Sequence, residues 1–113
     1  MRLGKCCGSN RDPVEGLQAK IPSYEDVKGQ AEFLKAIADP TRIRILYALT
    51  GGDLCVCEIM GLIGASQTLV SHHCKILKVA GIIIDRKSGK WVNYSLVDQR
   101  VIEMLIALKH GDK

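Results

Sequence analysis

The chain has 113 residues, of which 47% are hydrophobic, and this amount of apolar sequence builds one compact domain with little left for a second core. Its formal net charge of +4 suits a polyanionic partner, but the excess is too small to identify one by itself. No stretch reaches the roughly 18 consecutive apolar residues that a membrane-spanning helix requires, so we expect no contact with a membrane.

The N-terminal segment lacks a periodic apolar pattern. Residues 1–20 contain several glycines together with Pro13, a composition typical of a flexible tail, and they also contain Cys6 and Cys7. No apolar run of the kind that a secretory signal requires is present here, so we expect a cytoplasmic protein with reduced cysteines. We therefore predict a flexible cysteine-bearing tail at 1–20 and a folded domain at 21–113.

Four helices are predicted in the next part of the chain, each preceded by a residue whose side chain accepts hydrogen bonds from the first helical turn. These predicted N-cap residues are Ser23, Asp39, Asp53 and Ser66. The fourth helix is expected to run from Gln67 to Val79, with Val70, Cys74 and Leu77 spaced so that they face the core.

The apolar pattern changes after Gly81. Ile82–Arg86 and Trp91–Leu96 predict two strands joined by a tight turn, and Asp98 is expected to cap a last helix. The apolar face of that helix is wider than one small core requires, which indicates a homodimer formed through the first and last helices. The predicted fold is mainly α with one β-hairpin.

Two short helices joined by Gly64-Ala65, with a basic hairpin after them, are typical of a dimeric winged helix-turn-helix. If the apolar side of the fourth helix lies in the core, its opposite side is free to enter the major groove of DNA. The residues expected to contact DNA from this helix are Gln67, Thr68, Ser71, His72, His73, Lys75 and Lys78. Those expected to reach phosphates or the minor groove from the hairpin are Arg86, Lys87 and Lys90. The alternative is an ordinary solvated helix face beside a hairpin that only promotes solubility.

Four segments resemble, in chain order, the ArsR/SmtB family of metal-sensing repressors, and together they cover about residues 31–108. They are LKAIADPTRIRILYAL, DLCVCEIM, SQTLVSHHCKILKVAGII and GKWVNYSL. The resemblance implies a homodimeric repressor that binds an inverted-repeat operator in the metal-free form and dissociates when metal binds. It also implies that LCVC is the third-helix thiolate site of arsenic sensors and of CadC-type cadmium and lead sensors, completed by the tail of the other subunit.

Three features of the chain are interpreted against that family pattern. His73 stands at the family's recurrent histidine, which is expected to orient the fourth helix, called the recognition helix, or to contact phosphate. Cys74 replaces the usual leucine, and we expect it to be a small core residue because free cysteine behaves as a small hydrophobe. Other family members have a second metal site on the last helix, of which only Asp98 and His110 are retained here, so no working site is expected there.

The cysteines predict a site for a soft metal ion. Cys55 and Cys57 would stand about 200° apart around a regular helix. In a first turn capped by Asp53, however, a slight unwinding would bring the two sulfurs together. With Cys6 and Cys7 from the tail as further ligands, three or four thiolates would select cadmium, lead, zinc or arsenite as the inducer.

Several interpretations remain open. Because Cys6 and Cys7 are adjacent, whereas CadC-like tails separate their cysteines, an arsenite-responsive repressor with a three-cysteine site is an alternative to the four-sulfur site. Oxidation of the thiols would instead make the protein a redox-sensing repressor of the same fold. A metal-storage protein would not need the basic hairpin. An enzyme would need an orienting acid or an oxyanion loop beside His72 or His73, and the sequence offers neither, so we expect no enzyme.

Overall fold

The computed structural model of the protein describes residues 16–109. Contacts within the chain group it into two units, 1–31 and 32–113, and this division falls inside the first long helix. In the first unit a 3₁₀ turn, Gln18–Lys20, precedes that helix. Cys6, Cys7 and His110 lie outside the described residues, and the tail at 1–20 stays a prediction.

From Tyr24 to Leu108 the structure contains five α-helices and three strands, in the predicted order of four helices, a hairpin and a last helix. They are α1 (Tyr24–Ile37), α2 (Pro40–Ala48), β1 (Leu54–Cys55), α3 (Val56–Ile63), α4 (Gln67–Val79), β2 (Ile83–Ser88), β3 (Trp91–Leu96) and α5 (Arg100–Leu108). None of the helices described is both long enough and apolar enough to cross a membrane. The prediction of a mainly helical winged fold is confirmed.

Three of the predicted N-caps are confirmed. The side chains of Ser23, Asp39 and Ser66 each accept a hydrogen bond from the backbone amide three residues later, over 3.3, 3.0 and 3.1 Å. Each bond satisfies a donor of the first helical turn that has no partner within the helix. These helix starts follow from the local sequence alone.

The prediction that Asp53 caps α3 is wrong. The N-cap is Cys55, whose backbone is extended, and the Glu58 carboxylate accepts a hydrogen bond from the Cys55 amide at 2.9 Å. Asp53 instead accepts a hydrogen bond from the Ser95 hydroxyl on β3. The start of α3 is therefore set by a pairing with a distant strand, which overrides the better capping residue.

Asp98 lies one residue before the N-cap of α5, which is Gln99. Its carboxylate still accepts a hydrogen bond from the Arg100 amide at 2.9 Å. The predicted capping contact is present, although its register is shifted by one residue.

The three strands form an antiparallel sheet in the order β1-β3-β2. In the hairpin, β2 pairs with β3 from Ile83 opposite Leu96 to Ser88 opposite Trp91. Gly89, in the turn, has φ +66°, a conformation that glycine adopts without strain. The first strand of the hairpin thus runs two residues further than its predicted end at Arg86. β1 was not predicted, because two residues are too few to show an alternating pattern.

One core lies in the second unit and joins the end of α1 to α2, α3, α4, β2 and α5. The predicted inward residues Val70, Cys74 and Leu77 are fully buried. Burying each large aliphatic side chain stabilises the fold by about 1.5–3 kcal/mol, so α4 is held firmly by its apolar side. The core does not cover all apolar side chains of α5, since Ile106 and Leu108 are 54% and 70% exposed.

Candidate nucleic-acid interface and thiol cleft

The side of α4 that faces away from the core carries most of the residues predicted to contact DNA. Exposed among them are Gln67, Thr68, His72, Lys75 and Lys78, whereas Ser71 is half-buried. Their amide, hydroxyl, imidazole and ammonium groups can form hydrogen bonds with base edges and phosphates. Because the opposite side is packed, this face has a fixed orientation.

The hairpin that follows α4 in the chain also carries positive charge. Arg86, Lys87 and Lys90 are all exposed near its turn. The last turn of α4 is tied to the hairpin by an ion pair, with the Lys78 ammonium 2.8 Å from the Asp85 carboxylate. This contact raises the pKa of Lys78 and lowers that of Asp85. Lys78 therefore contacts the hairpin, and its expected contact with DNA stays a prediction.

His73 lies apart from the exposed face of α4. Its side chain is buried, and its Nδ1 lies 3.0 Å from the Arg42 guanidinium and 3.9 Å from the Asp39 carboxylate. Arginine has donors only, so Nδ1 accepts this hydrogen bond and the neutral ring carries its proton on Nε2. Burial holds the pKa of His73 below its ordinary value, against the opposing effect of Asp39. Of the two roles expected for His73, the geometry supports orienting the helix.

The sequence interpretation missed Arg42. Its guanidinium donates to the Ala36 carbonyl at 2.6 Å as well as to His73, so it joins the α1–α2 junction to α4. The available signal was the position of Arg42 three residues after the capping Asp39, in a helix with otherwise apolar inward residues. Sequence spacing alone does not show that the partner lies 31 positions away.

Cys55 and Cys57 line one cleft beside the turn end of the hairpin, with a volume of about 430 Å³. The other residues that line it are Asp53, Glu58, Ser88, Trp91 and Asn93. The two cysteines share this cleft because Cys55 is extended and paired with β3, while Cys57 belongs to the first turn of α3. The separation of about 200° that two such positions have around one regular helix therefore does not apply to Cys55 and Cys57.

The donor set of this cleft suits a soft ion but is incomplete within the part of the chain that the structure describes. Each of its two carboxylates already accepts a hydrogen bond at one oxygen, Glu58 from the Cys55 amide and Asp53 from the Ser95 hydroxyl. No group of three histidine, cysteine, aspartate or glutamate residues within 16–109 is placed to hold a metal ion. Two thiols match the preference of a soft ion for sulfur, and any third sulfur ligand has to come from residues outside that range.

Cys74, the remaining cysteine among the described residues, lies in the core. It is fully buried, and burial raises the pKa of its thiol to about 11. A protonated thiol without solvent access is a poor metal ligand, since the thiolate is the form that binds. The placement agrees with the expected packing role.

The sequence of this chain is similar to a known protein family and to several of its members. A family model described as "Bacterial regulatory protein, arsR family" matches residues 39–85, which include α2, α3 and α4. An uncharacterized HTH-type transcriptional regulator of Methanocaldococcus jannaschii, MJ1325, is 45% identical over 82 residues, which cover 72% of this chain and 92% of the relative. The cadmium resistance transcriptional regulatory protein CadC of Listeria innocua serovar 6a is 32% identical over 97 residues, covering 85% and 81%.

Among solved structures, NolR from Sinorhizobium fredii resembles the chain with a TM-score of 0.70 and 29% identity. The match covers 76% of this chain and 86% of NolR. The arrangement of helices and hairpin is therefore shared with a solved protein across most of both chains.

Proposed function

Because this chain belongs to the ArsR/SmtB family of winged helix-turn-helix transcriptional regulators, we propose that it is a cytoplasmic repressor that releases its operator when soft ions are bound by its cysteine thiolates. Proteins of this family regulate transcription, so the chain is a regulator and not an enzyme. The metal-free protein binds an inverted repeat as a homodimer, with one α4 in each of two successive major grooves.

The observation that carries this proposal is the placement of Cys55 and Cys57 on one cleft, beside the elements expected to hold DNA. Neither thiol is packed in the core as Cys74 is. Two accessible sulfurs facing a common space serve as a chelating pair, which isolated packing cysteines would not. A purely structural role for these two residues would not require the shared cleft.

The ligand set is completed in this proposal by Cys6, Cys7 or both. A soft ion bound there would supply sulfur-metal bonds that tie the tail to the start of α3. Three sulfurs suit cadmium, lead or arsenite, and four suit zinc or cadmium. A relative named for cadmium resistance favours cadmium as the first ion to test.

The experiment is fluorescence anisotropy of labelled DNA taken from upstream of the gene, with the reduced full chain and added cadmium, lead, zinc or arsenite. We expect tight binding without an ion and release by at least one ion, with each tenfold loss of affinity equal to about 1.4 kcal/mol of coupling. The Cys55→Ser, Cys57→Ser variant should bind DNA but not release it. Cys74→Ala is the matched control, because it removes a thiol that does not line the cleft, and it should respond like the native chain.

Two outcomes would contradict the proposal. Equal release from the Cys55→Ser, Cys57→Ser variant would move the sensing site elsewhere. Release by a disulfide-forming oxidant, but by none of the four ions, would make the protein a thiol redox sensor instead.

A further inference from the structure

Three elements meet at the thiol cleft. A smaller cavity of about 200 Å³ adjoins the two cysteines, and its lining includes Gln67, the first residue of α4, and Trp91, the first residue of β3. Trp91 also lines the larger cleft. One side chain of the hairpin and one of the recognition helix therefore border the same space as the two thiols.

Trp91 is well placed to connect this space to the hairpin tip. It pairs across the strands with Ser88 and directly follows the exposed Lys90. Two residues further along β3, on the same side of the strand, Asn93 pairs with Cys55. The backbone that carries Cys55 is thus bonded to the strand that carries Trp91.

The Trp91 ring is not fixed by the core. It is 59% exposed, so it can adopt a new position at low cost, whereas the fully buried residues of α4 cannot. A change at the thiols is therefore expected to move Trp91, and with it the hairpin tip, more readily than the packed helix.

We propose that Trp91 is a positioning residue that couples the occupied thiol cleft to the DNA-facing hairpin and to Gln67 within one subunit. This inference rests on the proposed function. It adds a way for ion binding to weaken DNA binding that acts inside one subunit and needs no change in the spacing between the two subunits. Trp91 bounds both cavities, so an ion that draws Cys55 and Cys57 together changes the surface against which its ring lies. The exposed cations of the hairpin then lose the position in which they meet phosphate.

The native chain allows a direct test, because Trp91 is the single tryptophan of the 113 residues. Cadmium ion is added to the reduced full chain while two signals are followed, the ultraviolet thiolate-to-metal absorbance and the tryptophan emission. We expect the emission to change in step with the absorbance and to saturate at the same ratio of metal to protein. Both changes should be absent from the Cys55→Ser, Cys57→Ser variant.

Variants then separate coupling from metal binding. In Trp91→Ala we expect the cadmium absorbance and the metal-free DNA affinity to stay near native values, while the loss of DNA affinity caused by cadmium shrinks by about tenfold. Trp91→Phe, which keeps an aromatic ring, should restore most of the response. Ile84→Ala is the matched control, since Ile84 is 41% exposed on the same hairpin and does not line the cleft.

The possible failures are distinguishable. If cadmium binds and releases DNA equally well from Trp91→Ala, or if the native emission does not change, the coupling role is overturned and the sensor remains. If the native chain shows neither thiolate absorbance nor release, the proposed function fails and this inference fails with it. If circular dichroism shows that Trp91→Ala is unfolded, the emission of the native chain and the ion response of Trp91→Phe test whether Trp91 couples the cleft to DNA binding.

Discussion

The buried contact between His73 and Arg42 explains how one side chain orients α4 without facing DNA. Arg42 donates to the ring Nδ1, so the contact exists only while Nδ1 carries no proton. Protonation would remove the acceptor and place a second cation beside the guanidinium. Asp39 lies on the other side and opposes this effect only in part, because burial is the larger influence on the pKa.

A pH dependence of stability follows from this arrangement. The pKa of His73 in the folded chain lies below its ordinary value of 6.5, so the unfolded chain takes up the proton first as pH falls. The stability contributed by His73 is therefore present above 6.5 and is lost as pH falls below that value. We expect the free energy of unfolding, measured with urea at a series of pH values, to fall less steeply in His73→Gln than in the native chain.

His72→Gln is the control for this measurement, because His72 is the adjacent histidine but is exposed. It keeps the His73–Arg42 contact, and because His72 is the smallest of the influences on the pKa of His73, most of the native pH dependence should remain. Parallel curves for the native chain and His73→Gln would show that His73 does not set the acid sensitivity.

Cys74 provides a second prediction for a single residue. Cys74→Ala leaves a small cavity and should cost about 1 kcal/mol of unfolding free energy. Cys74→Ser buries a hydroxyl where no polar partner is expected, and it should cost about 1–3 kcal/mol. Both variants should keep the ion-induced release of DNA. A variant with native stability that no longer responds to the ion would make Cys74 a ligand after all.

The recognition helix and the hairpin are expected to contribute to DNA binding in different ways. Lys87, on the hairpin, offers a charge that any phosphate can accept, so Lys87→Ala should weaken binding to all sequences and lower the salt dependence by about one counterion per subunit. Gln67, on α4, offers an amide for a base edge, and Gln67→Ala should reduce discrimination against a scrambled site by about 1–3 kcal/mol. Anisotropy at several salt concentrations, with operator and scrambled DNA, measures both effects. A change in the salt slope for Gln67→Ala alone would reverse these assignments.

The contrast between helix starts and the thiol cleft shows how far the sequence predicts this molecule. The caps of α1, α2 and α4 depend on a side chain and an amide three residues apart, so local sequence identifies them. The cleft depends on contacts between distant positions. Asp53 is held by Ser95, 42 positions away, and Cys55 pairs with Asn93. The cysteines themselves were identifiable from the sequence, but their shared orientation and their closeness to Trp91 were not.

At the scale of the whole molecule, the exposed apolar side chains of α5 form a candidate dimer surface. Val101, Ile102 and Leu105 already fill the core of the chain, yet Ile106 and Leu108 remain on the outside of the same helix. A single exposed apolar residue is ordinary, but two on one short helix beside the core are a candidate for association. A regulator that reads two half-sites needs such an association.

Ile106→Glu places a charge in that surface and should shift the protein from dimer to monomer, as measured by analytical ultracentrifugation. The monomer reaches only one half-site at a time, so affinity for an inverted repeat should fall by at least about tenfold, while affinity for a single half-site changes little. Leu62→Glu is the matched control for oligomeric state, because Leu62 is 59% exposed but lies on α3. If Ile106→Glu remains a dimer, the exposed apolar side chains of α5 do not form the dimer interface. If it becomes a monomer and still binds the inverted repeat at native affinity, the subunits recognise their half-sites independently, and release by ions would have to act within each subunit.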